Sequence, residues 1–105
     1  MDVLIAEDDQ TTRTIIKMLV EKWGYTTVEC EDGAQAWDIL QTPESPRIAL
    51  LDWMMPGYTG LELAQMLQER QGAPLVYTIL ITSKGDHKDI HQALESGLHD
   101  VLSKP

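Results

Sequence analysis

Residues 3–9, Val3-Leu4-Ile5-Ala6-Glu7-Asp8-Asp9, join four apolar residues directly to three acidic ones. A short continuous apolar run of this kind is typical of a strand that is covered on both faces. Two further runs follow the same pattern, residues 48–51 before Asp52 and residues 75–81 before Thr82. The sequence therefore predicts buried parallel strands whose carboxyl ends carry polar side chains.

Between these runs lie segments with the apolar spacing of amphipathic helices. In the first of them, we expect one face to pack on the sheet through Ile15, Ile16, Leu19, Val20 and Trp23. Asp32 with Gln35, and Thr59 with Glu62, have the spacing of helix N-terminal caps. We predict strands near residues 2–7, 25–30, 48–52, 75–82 and 99–103, and helices near residues 11–23, 33–41, 59–69 and 86–96. Alternating strands and helices form a doubly wound α/β sheet.

Length, charge and cysteine content restrict the function. A chain of 105 residues forms one domain. Its formal net charge of −9 disfavours phosphate backbones, so we expect no direct nucleic-acid binding. Cys30 is the single cysteine, which excludes an intrachain disulfide and a cysteine-based metal cage. No apolar run reaches the length of about 18 residues that a membrane span needs, so we expect a cytoplasmic protein without a membrane segment.

The chemistry of the chain is expected where the strands end. Ligands of open parallel sheets bind beyond the carboxyl ends of the strands. The first strand delivers Glu7, Asp8 and Asp9 to that edge, and the others deliver Asp52, Thr82 and Lys104. Neighbouring carboxylates repel one another, and oxygen ligands favour a hard divalent cation. These residues therefore predict a Mg²⁺ site.

In this order and at these separations, the motifs resemble the receiver domain of two-component response regulators along the whole chain, residues 1–105. The matching segments are Val3-Leu4-Ile5-Ala6-Glu7-Asp8-Asp9 with Arg13, Leu51-Asp52-Trp53-Met54-Met55-Pro56-Gly57, Gly60-Leu61-Glu62-Leu63, Ile81-Thr82-Ser83 and Leu102-Ser103-Lys104-Pro105. The resemblance implies a flavodoxin-like sheet of five parallel strands in the order 2-1-3-4-5.

The resemblance also implies that Asp52 is a phosphoacceptor. It would receive a phosphoryl group, with Mg²⁺ bound, from a sensor histidine kinase, a phosphotransfer protein or a small phosphodonor. Thr82 and Lys104 would contact phosphoryl oxygens through a hydroxyl group and a positive charge. The Met54 carbonyl would be a further metal ligand. The output would be a phosphorylation-dependent change of surface that acts on an output domain or target protein.

The resemblance assigns different roles to the three neighbouring acids. The family's acidic pair ends five residues before the arginine of the first helix, here Arg13, so Glu7 and Asp8 form the pair. Asp8 would ligate the metal directly and Glu7 through water. Asp9 falls outside the pair and is predicted to cap the first helix.

Two alternatives remain open. The family often has Tyr or Phe three residues before the lysine, where this chain has Val101, which is compatible with a receiver used only as a docking module. An aspartyl-phosphate phosphohydrolase is the other alternative, although such enzymes place a second Asp where this chain has Met54.

Only Lys104 and Pro105 follow the last predicted strand, so we expect a fifth helix to be absent from this chain. We expect either a longer protein truncated before that helix or an apolar face that finds a partner. A dimer through this uncovered face is one such arrangement.

Overall fold

In a computed structural model, residues 1–70, 75–82 and 98–103 are described. They form eight elements: β1 (Asp2–Ala6), α1 (Gln10–Lys22), β2 (Thr26–Cys30), α2 (Gly33–Leu40), β3 (Ile48–Asp52), α3 (Gly60–Glu69), β4 (Tyr77–Thr82) and β5 (Asp100–Ser103). These bounds confirm the five predicted strands and three of the predicted helices to within a few residues. The helix predicted near residues 86–96 lies outside the described residues.

The five strands form one parallel sheet with the order β2-β1-β3-β4-β5. This order confirms the doubly wound α/β fold, because each parallel connection has to cross over a face of the sheet. The predicted start of β4 was two residues too early. Pairing with β3 begins at Ile48 opposite Tyr77, so the exposed Leu75 has no strand residue beside it.

The strands alternate between two apolar layers, as expected for a sheet covered on both faces. The layer under α2 and α3 contains fully buried leucines of strands and helices, among them Leu4, Leu40, Leu51 and Leu63. The layer under α1 contains Val3, Ile5, Ile16, Val20, Leu50 and Ile81. The core therefore holds the carboxyl ends of β1 and β3 in place from both sides.

Polar residues cap the helices where the sequence predicts them. The Asp9 carboxylate accepts a hydrogen bond from the Thr12 amide at 2.8 Å and begins α1. Asp32 accepts from the Gln35 amide at the start of α2. Thr59 and Glu62 form a reciprocal capping box at the start of α3. These caps satisfy helix amides that would otherwise lack partners.

The outer side of α1 differs from the prediction. Ile16 and Val20 are buried, but Ile15 and Leu19 are each 42% exposed and Trp23 is 70% exposed, so the prediction that all five residues pack against the sheet is wrong for these three. For Trp23 the reason is local: α1 ends at Lys22, and Trp23 is its C-cap residue, at the rim of the face that meets the sheet.

A cavity of about 180 Å³ opens beside α1 on the same face of the sheet. We call it the apolar groove, and its lining residues are Ile16, Leu19, Val20, Trp23, Leu50, Ile81 and Leu102. Leu19 and Leu102 are 42% and 49% exposed.

Candidate metal centre

Three carboxylates meet at the carboxyl edge of the sheet. One oxygen from each of Glu7, Asp8 and Asp52 lies within 4.8 Å of the others. Glu7 and Asp52 are buried, and Asp8 is exposed. We call this group the acidic cluster. The structure thus brings together the three acids that the sequence places at the ends of two adjacent strands.

Glu7 is held by contacts on its backbone and its side chain. Its amide extends the β1–β2 ladder by donating to the Cys30 carbonyl at 3.1 Å. Its carbonyl accepts from Arg13 Nη1 at 2.8 Å, and its Oε2 accepts from the Asp9 amide at 3.2 Å. The residue that opens the acidic cluster is therefore fixed in orientation by its neighbours.

Asp52 ends β3, and the chain turns sharply after it. The Trp53 amide donates to the Ile81 carbonyl at 3.0 Å, which ties the end of β3 to β4. The Trp53 carbonyl accepts from the Gly60 amide at 3.1 Å. A Cβ atom on Gly60 would lie 2.6 Å from the Asp52 carbonyl oxygen, so only glycine allows α3 to start this close to the strand. These contacts fix the two ends of the loop from 53 to 59 next to Asp52.

Thr82 lies beside this edge as predicted. It ends β4, one residue after Ile81, which pairs with Asp52, and it is buried. Met54, whose carbonyl the resemblance assigns to the metal, has a 71% exposed side chain in the loop after β3. Lys104 lies outside the described residues. The predicted site thus has its acids and Thr82 at one edge of the sheet.

The three neighbouring acids Glu7, Asp8 and Asp9 divide as predicted from their separation from Arg13. Asp9 caps α1 and is not part of the three-carboxylate group, whereas Glu7 and Asp8 are. The prediction that Asp9 is a helix cap is confirmed.

The donor set fits a hard divalent cation. It consists of carboxylate oxygens, and a cluster with one exposed and two buried acids leaves room for water as further ligands. Buried carboxylates at this spacing also cost free energy unless positive charge compensates them. A Mg²⁺ ion matches both requirements.

Sequence reasoning missed part of the surroundings of the acidic cluster. Arg13 served only to set the register of the acids, but in the structure its buried side chain contacts the Glu7 carbonyl and the Glu29 carboxylate. The sequence feature that could have revealed these contacts is the position of Arg13, a positively charged residue on the sheet-facing side of an amphipathic helix.

Cys30 is buried below the same edge, as expected for a small apolar residue. The pKa of its thiol is raised to about 11, mainly by burial and also by the nearby Asp32 carboxylate, while Arg13 acts in the opposite direction. A thiol with this pKa is protonated at neutral pH, which is consistent with a packing role.

No described helix combines the length and the apolar character that crossing a membrane requires.

A doubly wound parallel sheet with an acidic cluster at the ends of its first and third strands defines a class of α/β proteins that bind ligands at the carboxyl edge. The family model of the response regulator receiver domain matches residues 3–105. The chain therefore belongs to the response regulator receiver domain family.

Individual relatives agree with this assignment. A chemotaxis protein CheY homolog of Campylobacter jejuni is 32% identical over 106 residues, which cover 100% of this chain and 82% of the relative. The phosphate regulon transcriptional regulatory protein PhoB of Pseudomonas aeruginosa is 35% identical over 98% of this chain, but only 44% of PhoB is covered. Similarity therefore extends to relatives of different total length.

Solved structures give the same result. The receiver domain of the Francisella response regulator 1452 superposes with a TM-score of 0.88 and 30% identity, covering 99% of this chain and 84% of that one. The BeF3-activated N-terminal receiver domain of Klebsiella pneumoniae RstA superposes with a TM-score of 0.86 and 28% identity, covering 99% and 86% of the two chains. The fold of the chain is that of receiver domains.

Proposed function

We propose that this receiver domain is a phosphorylation-controlled switch of a two-component system and that Asp52 is its phosphoacceptor. The observation that carries the proposal is the acidic cluster, in which oxygens of Glu7, Asp8 and Asp52 lie within 4.8 Å of one another. Asp52 is buried at the end of β3, which β1 and β4 flank on either side. A nucleophile gains reactivity when it is held in line with its reaction partner.

The proposed cofactor is Mg²⁺. Asp8 and Asp52 would ligate it directly, Glu7 through water, and the Met54 carbonyl would complete the protein ligands. When bound, Mg²⁺ supplies positive charge that offsets the negative charge of the carboxylates and of phosphoryl oxygens.

The proposed reaction is a phosphoryl transfer to a carboxylate. An oxygen of Asp52 forms a bond to phosphorus while the bond from phosphorus to the histidine nitrogen of the donor breaks, and the electron pair of that bond remains on the imidazole. With acetyl phosphate, the phosphorus–oxygen bond breaks and acetate leaves. The Thr82 hydroxyl would donate a hydrogen bond to a phosphoryl oxygen, and Lys104 would contribute a point charge.

The proposed donors are a sensor histidine kinase, a phosphotransfer protein or a small phosphodonor, and the proposed location is the cytoplasm. The acidic cluster does not determine which output domain or target protein this chain acts on. The net charge of −9 argues against direct contact of this chain with nucleic acid. PhoB, whose receiver-like part resembles this chain, is a transcriptional regulator of greater length.

We propose that this switch does not depend on the rotation of an aromatic side chain at position 101, where this chain has valine. Val101 of β5 packs against the cluster of Ala64, Leu80 and Leu98. A β-branched side chain has few rotamers, so Val101 is a poor carrier of a large side-chain rotation. Phosphorylation would therefore act on the surface near β4 and β5 through backbone displacement.

The apolar groove suggests association with a second copy of the chain. Trp23 and Leu102, which line the groove, are large apolar residues that remain exposed to solvent. Exposed apolar patches are typical of interaction surfaces. We propose a dimer through the groove. A sedimentation profile that stays monomeric at high protein concentration would contradict it.

Incubation with a phosphodonor separates the proposed function from its alternatives. The protein is treated with acetyl phosphate and Mg²⁺, and intact mass and released phosphate are measured over time. A switch gains one lasting phosphoryl group, a phosphohydrolase turns over donor without accumulating product, and a docking module does neither. Asp52→Asn should abolish the modification, whereas Asp38→Asn, an exposed acid on α2, should leave it unchanged. Modification of Asp52→Asn to the wild-type extent would overturn the assignment.

Beryllium fluoride provides a second probe, because a receiver domain 28% identical to this one is described as BeF3-activated. We expect it to bind the wild-type protein in the presence of Mg²⁺ and not to bind Asp52→Asn.

A further inference from the structure

Arg13 is a buried cation that lies next to the acidic cluster without belonging to it. Its side chain is 10% exposed. Nη1 donates to the Glu7 carbonyl at 2.8 Å, Nε donates to Glu29 Oε1 at 3.3 Å, and Nη2 lies 4.0 Å from the Glu31 carboxylate. One guanidinium group thus connects α1 to the end of β1 and to β2.

The hydrogen bond from Arg13 to the Glu7 carbonyl can fix the orientation of the backbone between Glu7 and Asp8. The Glu7 carbonyl belongs to the peptide that joins Glu7 to Asp8, the two acids contributed by β1. The amide of Glu7 is already fixed by the Cys30 carbonyl, so the bond from Arg13 fixes the other side of the same residue. With both sides held, the Glu7–Asp8 peptide has one orientation relative to Asp52.

Glu29 holds the guanidinium in this position. Its Oε1 accepts from Arg13, while its Oε2 lies 3.3 Å from the Lys17 ammonium one turn further along α1. An arginine can use different edges of its planar group for the carbonyl and the carboxylate at once, which a lysine cannot do. The geometry of the contact therefore depends on the guanidinium and not on charge alone.

We propose that Arg13 is a positioning residue for the metal centre. Its hydrogen bond to the Glu7 carbonyl holds the Glu7 and Asp8 carboxylates toward Asp52. Groups that orient metal ligands typically change metal affinity by about 10–100-fold when removed. This inference rests on the proposed metal site, and it adds to that site a residue that touches neither metal nor phosphoryl group.

The test compares Mg²⁺ binding by the wild-type chain, Arg13→Met and Lys17→Met. Lys17 is the matched control because it lies on the same helix and pairs with the same glutamate. Mg²⁺ dissociation constants are measured from intrinsic fluorescence, to which Trp53, the neighbour of Asp52, contributes. We expect Arg13→Met to weaken Mg²⁺ binding by about 10–100-fold and Lys17→Met to leave the constant close to that of the wild type.

A second measurement needs no metal. Amide hydrogen exchange at residues 7–9 should be faster in metal-free Arg13→Met than in metal-free Lys17→Met, because only the former loses the contact with the Glu7 carbonyl. A purely structural role would lower the unfolding midpoint of Arg13→Met and leave its Mg²⁺ dissociation constant unchanged.

The outcomes separate this inference from the proposed function. Equal Mg²⁺ dissociation constants for the wild type and a folded Arg13→Met would overturn the role of Arg13 and leave the metal site intact. A wild-type protein that binds no Mg²⁺ would overturn the metal site itself. If Arg13→Met does not fold, Arg13→Lys is measured instead, because lysine keeps the positive charge but lacks the planar guanidinium group with its several donors. Weaker Mg²⁺ binding by Arg13→Lys would support the proposal, and unchanged binding would overturn it.

Discussion

The acidic cluster and the apolar groove both depart from the burial pattern of an ordinary protein core, in opposite directions. In the cluster, the carboxylate residues Glu7 and Asp52 are 0% and 3% exposed. In the groove, Trp23 and Leu102 are 70% and 49% exposed. Charge withdrawn from water and apolar surface left in water both cost free energy. The comparison teaches that one small sheet can bury carboxylates at its carboxyl edge while it leaves apolar side chains exposed on one face.

The largest effect on stability is expected in the core layer under α2 and α3, on the face of the sheet opposite the apolar groove. Leu51 is fully buried and directly precedes Asp52. Leu51→Ala removes packing and leaves a cavity, so we expect a loss of about 2–5 kcal/mol in the free energy of unfolding, measured with urea. Leu19→Ala in the groove is the control, with an expected loss of about 1 kcal/mol because the side chain is 42% exposed. Equal losses would mean that the groove is packed like the core.

A cation should relieve the cost of the acidic cluster. A ligand that binds only the folded state at ten times its dissociation constant adds about 1.4 kcal/mol to the free energy of unfolding. We expect Mg²⁺ at ten times its dissociation constant to raise the free energy of unfolding of the wild type by about this amount, measured by urea denaturation. Asp52→Asn removes one of the three carboxylates of the acidic cluster and should lose most of the gain. Equal stabilisation of the wild type and Asp52→Asn by Mg²⁺ would place the ion elsewhere.

Cys30 tests whether the acidic edge is a desolvated environment without involving a metal. Burial, with Asp32 nearby, raises the pKa of its thiol from 9.0 to about 11. Between these two values the unfolded thiol ionises while the folded thiol keeps its proton, so this group makes stability fall as pH rises from about 9 to about 11. Urea midpoints of the wild type should therefore decline more steeply over this range than those of Cys30→Ala. Parallel declines would contradict the raised pKa.

The smallest effect on stability is expected in the groove. Trp23→Ser removes a side chain that is 70% exposed, so the free energy of unfolding should change by about 0.5 kcal/mol or less. The same substitution should weaken self-association through the groove, measured by sedimentation over a range of concentrations. Glu21→Ser, on the exposed surface of α1, is the control. A strongly destabilised Trp23→Ser would show that the indole belongs to the core.

The fold and the position of the acids were predictable because they depend on local patterns. Short apolar runs predicted three of the strands, and two of these runs end in acids. Because parallel strands end at one edge of the sheet, Glu7, Asp8 and Asp52 could be predicted to lie close together. The caps formed by Asp9 and Thr59 were predictable for the same reason, since donor and acceptor are three residues apart.

What the sequence could not supply depends on contacts between distant elements. The spacing of α1 includes Trp23 in its apolar face, but only the end of the helix at Lys22 decides that this side chain lies at the rim. The contacts of Arg13 with Glu7 and Glu29 join residues of three elements, and no local pattern encodes them. The start of β4 likewise follows from where its neighbour β3 begins.

The most direct test of the account is a crystal structure of the chain soaked in Mn²⁺, a divalent ion with a strong anomalous signal that takes oxygen ligands like those of Mg²⁺. The account predicts an anomalous peak at the carboxyl edge of the sheet, bonded to carboxylate oxygens of Asp8 and Asp52 and adjacent to Glu7. Crystals in which these three carboxylates hold no ion, or in which the ion binds at other acids, would contradict it.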